Sequence, residues 1–152
     1  MACFLLTDFC QKYEAIASAP VPITKLMLVL PLLWHHDSCH EIARRQSTTN
    51  LTTVLQTEPA LRINFDRRLQ AFAPVALQGL NLACASHLLD RSMHEHDIYL
   101  QCAFKRWPMG AKPTNVPAQM LSASQRLAHW FAADTAQTLY VYFLGSEHAI
   151  RN

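Results

Sequence analysis

"LLDRSMHEHDIYLQCAF", residues 88–104, is where the period of this chain changes. Two short apolar runs flank a polar turn. In the second run Ile98, Leu100 and Cys102 alternate with Tyr99, Gln101 and Ala103. Alternation of this kind is the spacing of a strand, whose successive side chains face opposite ways. The stretch predicts a β-hairpin with strands at roughly 88–91 and 97–103. Nearly everything else keeps helical spacing. The expected fold is therefore mainly α: a single helical domain, 1–152, with a short hairpin near 88–103.

Upstream, Pro74 is read as the opening of a helix over 75–87 that turns Leu77, Leu80, Cys84 and Leu88 to one side. Residues 69–89 contain no Asp, Glu, Lys or Arg, yet Gln70, Gln78, Asn81, Ser86 and His87 recur through them. Those polar groups would be costly in lipid. A soluble helix buried on most sides is expected instead. Before it, Thr57-Glu58-Pro59 marks another helix start, followed by Leu61, Phe65, Leu69 and Phe72 at helical spacing. A short helix at 50–56 would turn Leu51, Val54 and Leu55 inward.

Short helix, helix, helix and ribbon is the order of a winged helix-turn-helix, with 50–103 as the winged-helix-like region and 75–87 as the recognition helix. That helix has no Lys or Arg, whereas phosphate contacts need cations. The candidate nucleic-acid contacts are Arg91 in the ribbon and Lys105 and Arg106 beyond it. Arg62, Arg67 and Arg68 read as the solvated face of an amphipathic helix. A winged-helix-like scaffold used for protein contact is favoured over direct DNA binding.

The N-terminal helices occupy 1–46. Leu5, Phe9, Tyr13 and Ile16 form one helical stripe. "KLMLVLPLLWHHDSCH", 25–40, raises two sharper readings. Its apolar run falls far short of the roughly 20 residues a membrane span requires. A buried helix, bent or restarted at Pro31, is expected after the stiff "APVP" approach at 19–22. His36 and His40 share a helical face, the spacing of helical zinc sites, but a third ligand and a thiolate pair are missing. The exit is read as a polar helix end reaching solvent.

Beyond the hairpin, "KRWPMGAKPTNVP", 105–117, is a loop. Trp107, beside Lys105, Arg106 and Pro108, is expected to be exposed and is the candidate partner-interface anchor. The C-terminal helices lie within 118–145. Met120, Ala123, Leu127 and Trp130 mark one of them, with Trp130 filling the core. "TAQTLYVYFLGSEH", 135–148, fits a strand by its β-branched and aromatic run, or a helix capped at Gly145.

About half of the 152 residues are hydrophobic, at 51%, and only 16% are charged. Low charge with ample apolar surface suggests that a partner covers part of the exterior. A net charge of +2 gives no bulk attraction to nucleic acid. Five cysteines without a CxxC pair, and no secretory signal, point to a reducing cytoplasmic compartment. With three glycines in the chain, a phosphate-cradling loop has no material. No catalytic motif is present and no cofactor is expected. A Cys/His dyad has no supporting local context.

One resemblance spans most of the chain. "ACFLLTDFCQKYE" (2–14), "PVPITKLMLVLPLLWHHDSCHEIA" (20–43), "TNLTTVLQTEPALRINFDRRLQAFAPVALQGLNLACASHLL" (49–89) and "RLAHWFAADTAQTLYVYFLG" (126–145) stand in the order of a known family. They resemble the middle component of three-component ABC systems, the small accessory subunit of Lamassu-type bacterial defence. The ordered set carries the likeness: a Pro-containing approach, an "LPL" helix followed by His, a Thr-Leu helix, a Glu-Pro turn, a Phe-x-x-Arg helix and an aromatic-x-Pro step. The chain departs at "HLLDRSMHEHD", where the family is often Gly-rich, and in the 104–118 loop. The resemblance implies a non-enzymatic subunit beside an SMC- or Rad50-like ABC ATPase and a nuclease-like effector. DNA would be met through the complex, and no membrane is involved. The alternatives are a winged-helix DNA-binding regulator and a small metal-dependent enzyme.

Overall fold

The computed structural model describes residues 1–112 and 114–145. The last part of the expected domain, 146–152, lies outside the described residues.

Helix α1, Ala2–Ala17, is the axis of the fold. Leu5, Phe9 and Tyr13 of its stripe are buried, while Ile16, near the helix end, is more than a third exposed. The helix stops at Ser18, which adopts a left-handed conformation at φ 52°. Against α1 pack α6 (Phe65–Ala85) and α7 (Ala118–Ala133).

The run after α1 breaks into more pieces than Pro31 alone predicts. A two-residue strand, β1 (Val21–Pro22), is followed by α2 (Ile23–Leu26), α3 (Val29–Leu33) and α4 (His36–Arg44). Pro31 lies in the first turn of α3, where its missing N–H would have no intrahelical partner. The breaks fall on either side of α3. All of Val29–Leu33 is buried, so this element is core. Helix α5, Leu51–Thr57, is capped by Asn50 and buries Leu51, Val54 and Leu55, as predicted.

Two corrections concern the segment before the hairpin. The start at Pro59 yields only a 3-10 turn, Pro59–Arg62, and α6 begins afresh at Phe65. Pro74 opens no helix, because it sits inside the continuous 21-residue α6. Both Pro74 and Gln70 are exposed, so the carbonyl that loses its bond faces water and the cost is reduced. No turn therefore separates 65–73 from 75–87, and the predicted recognition helix is the second half of α6. Its buried row is also different. Ala76, Gly79, Leu80 and Ala83 face inward, whereas Leu77 is 44% exposed. Close approach explains this: a Cβ on Gly79 would lie 3.0 Å from Ala2 Cβ and 3.2 Å from the Ala2 backbone.

The hairpin is formed by β2 (Leu89–His94) and β3 (Asp97–Cys102) around Glu95 and His96, with Glu95 at φ 58°. It is longer on its first side than predicted. It also gains a strand the alternation did not show: β1 pairs with β3, giving the antiparallel order β1-β3-β2. Val21 stands opposite Leu100 and Pro22 opposite Tyr99. β1 ends there, and the Cys102 N–H beyond it is taken by Glu14 Oε1 at 2.6 Å.

Helix α8, Ala136–Leu144, settles the ambiguous C-terminal segment as helix, with a Thr135 cap and Gly145 at φ 86°. Leu139 and Phe143, four apart, are buried, and Phe143 stacks on Phe65 at 4.7 Å. Two buried or half-buried cations hold the helix ends. Lys25, 5% exposed, donates to Phe131 O at 2.7 Å and to Tyr13 Oη at 2.9 Å. Arg68 donates to the carbonyls of Pro31, Leu61 and Ile63 and to Ser38 Oγ. Carbonyls in the last turn of a helix lack intrahelical partners, and a cation there also opposes the helix dipole. Among the described residues neither cation has a carboxylate within ion-pair reach.

Candidate functional site

α6 presents a long open surface, with Leu77 and Leu82 exposed on it. A helix that packs on a core by one face usually carries charged residues on the other. Here the charges stop at exposed Asp66 and Arg67 in the first turn, and beyond them the outward face carries Ala71, Pro74, Leu77, Gln78, Asn81 and Leu82, with Leu82 57% exposed. The charge-free stretch 69–89 is thus exposed along one side rather than buried on most sides. Its recurring amides were the signal: Gln70, Gln78 and Asn81 are all exposed. Uncharged amides and aliphatic groups are cheap to desolvate, and the centres of protein interfaces are depleted of charge for that reason.

Next to this face the hairpin projects. β2 contacts the end of α6, and of its six residues only Leu89 is buried. Met93 is 70% exposed. The ribbon carries Asp90, Glu95 and Asp97 against a single cation, Arg91.

The sequence-derived candidates divide. Arg91 is exposed on β2 opposite Leu100. Lys105 and Arg106 are exposed just past β3, at the base of the hairpin. Trp107 is not free: its indole is half-buried against Phe4 and Phe104, with ring centroids at 6.4 and 4.9 Å. Its Nε1–H donates to Gln11 Oε1 at 2.9 Å. Trp107 fastens the 105–117 loop to α1. Trp130, 4% exposed, is in the core and donates to Thr49 O at 2.7 Å.

The catalytic readings gain no geometry. Burial pushes the thiols of Cys3, Cys10, Cys39 and Cys84 above their ordinary range. Cys102 is pushed up to about 12, first by burial and then by the Glu14 carboxylate. The thiolate is the nucleophile, so these are packing cysteines. Burial also raises Glu14, despite the bond from Cys102 N–H. His35 pairs with Ser38 Oγ at 2.9 Å, but that oxygen is buried and also receives Arg68 Nη1 at 2.9 Å. His35 instead caps α4, accepting Ser38 N–H at 3.3 Å. His36 and His40 are exposed on α4. Among the described residues no three His, Cys, Asp or Glu side chains are grouped to hold a metal ion, and no helix is long and apolar enough to cross a membrane.

Fold and surface together define a small, mainly α-helical module whose open α6 face is uncharged from Ala71 to Leu82. Over residues 1–145 the chain matches the family model described as ABC-three component (ABC-3C) system Middle Component 3, and it belongs to that family. The resemblance to the middle components holds at that level. Comparison with curated proteins and with solved structures returned no match.

Proposed function

We propose that this chain is the non-enzymatic accessory subunit that joins an SMC- or Rad50-like ABC ATPase to an effector such as a nuclease, in a cytoplasmic, Lamassu-type defence complex. The observation that carries the reading is the outward face of α6 from Ala71 to Leu82, which is exposed, uncharged and partly aliphatic beyond the charged first turn. Family membership supplies the context of a multi-component system. ATP hydrolysis and nuclease chemistry belong to the partners in this reading. Co-expression with the two other components tests it. Co-elution on a sizing column is the expected result, and clean separation of this chain from both components overturns it.

One observation favours a second reading. Helix α1, strand β1, the helices ending in α6, and then β2 and β3 follow the order of a winged helix, with the sheet order β1-β3-β2. Arg91, Lys105 and Arg106 would then meet phosphates. This reading predicts a salt-dependent shift of duplex DNA by the isolated chain at about 50 mM salt. The carboxylates of the ribbon and the lack of Lys or Arg in α6 beyond Arg68 weigh against it.

A further inference from the structure

We propose that the free edge of β2 receives an extended, Lys/Arg-bearing segment of a partner component, which pairs with it as an added strand. The inference rests on the subunit reading above and names where and how one partner attaches.

The order β1-β3-β2 leaves β2 at an edge. Backbone groups in an antiparallel pair point alternately toward and away from the neighbouring strand. Ala103 N–H donates to Leu88 O at 3.0 Å, which fixes the phase of that alternation. Asp90, Ser92 and His94 therefore direct their backbone groups at β3, and Arg91 and Met93 direct theirs outward. The other side of the sheet obeys the same phase. Leu100 faces β1, and Cys102 N–H points away from β2 to Glu14. Leu100 and the Cys102 N–H are thus partnered within the chain. Among the described residues nothing takes the outward groups of Arg91 and Met93.

Protected edges carry prolines, bulges, very short strands or charged side chains, and of these β2 has only the charges of Asp90 and Arg91 near its base, away from Met93. β2 pairs with β3 over six consecutive positions, with no bulge and no proline. Its side chains describe the occupant. Met93 stands exposed opposite half-buried Ile98, an apolar step for one partner side chain. Arg91, Lys105 and Arg106 lie toward the base of the ribbon, whereas Glu95 and Asp97 sit at its tip beside Met93, so the tip end of the edge favours a basic segment over a phosphate backbone. Strand addition draws its affinity from main-chain bonds and its selectivity from such flanking side chains.

The alternation supplies a selective test. In the co-expressed complex, Met93→Pro removes an N–H on the free edge and spares the β2–β3 ladder, while Met93→Ala keeps that N–H. Met93→Pro is expected to weaken assembly at least tenfold and Met93→Ala a few-fold at most, with circular dichroism of the isolated variants unchanged. Hydrogen exchange on the wild-type complex provides an independent readout, in which the Arg91 and Met93 amides become protected on assembly. Unchanged exchange at both amides, or full assembly with Met93→Pro, overturns the edge inference and leaves the subunit reading standing. Failure of the wild-type chain to co-elute overturns the subunit reading and this inference with it. A dimer of the isolated chain that Met93→Pro abolishes assigns the edge to a second copy and also overturns the proposal.

Discussion

Helices α1 and α6 lie against each other, yet they use their side chains in opposite ways. The polar groups of α1 are spent inside the chain. Asp8 pairs with Lys12 at 2.7 Å and accepts Ser124 Oγ–H, and Lys12 also donates to Leu121 O. Gln11 holds Trp107, and Glu14 holds Cys102 N–H. The outward amides and leucines of α6 have no such partners among the described hydrogen bonds and core contacts. The first pattern is that of an element that holds a fold together. The second leaves a surface whose cost in water is recovered only when something covers it.

Substitutions should separate the two helices. The largest effect is expected from Phe9→Ala in α1. Phe9 is fully buried between Tyr13 and Phe131, at 6.0 and 5.7 Å, and its loss should cost about 3–5 kcal/mol in urea unfolding. At the contact between the helices, Gly79→Val should cost about 1–3 kcal/mol, because the added carbons meet the Ala2 backbone. Lys25→Met should cost a similar 1–3 kcal/mol, roughly that of leaving Phe131 O and the Tyr13 hydroxyl without their partner. Leu82→Asp on the open face of α6 should change stability by less than about 0.5 kcal/mol while abolishing assembly.

A pH series probes the α4 junction beside α6. Burial holds His35 below its ordinary value, and Arg68 adds to the effect. Of its α4 neighbours, Asp37 opposes the shift and His36 reinforces it. For a base whose folded value is lowered, stability is complete above the unfolded value of about 6.5 and falls as pH drops through it. His35→Asn keeps an oxygen acceptor for the Ser38 N–H and should flatten that slope. A urea midpoint series between about pH 7.5 and 5 measures the difference; an unchanged slope in the variant would show that His35 is not the source.

Local signals were legible. α5 could be read to within a residue at each end, 50–56 against Leu51–Thr57, because Leu51, Val54 and Leu55 share a face. The ribbon was legible from its alternation and polar turn. What escaped depended on distant partners. β1 is two residues long, too short to show a period, and it is a strand only because Leu100 lies opposite. Pro74 carries a breaker signal that solvent around Gln70 softens. Leu77 belongs to an apolar row by spacing, but the close approach of α1 at Gly79 rotates a smaller row inward. Trp107 is flanked by charges that suggest exposure, and Gln11 of α1 captures it nonetheless. The open face was half legible: its lack of charge was plain, and its exposure required the fold.

The most direct measurement is light scattering on a sizing column for the three co-expressed components, run with the wild-type chain and with Leu82→Asp. The account predicts one co-eluting complex with the wild-type chain and release of this chain by Leu82→Asp, whose melting temperature stays at the wild-type value. Co-elution that survives Leu82→Asp undiminished would contradict the assignment of α6 as the interface.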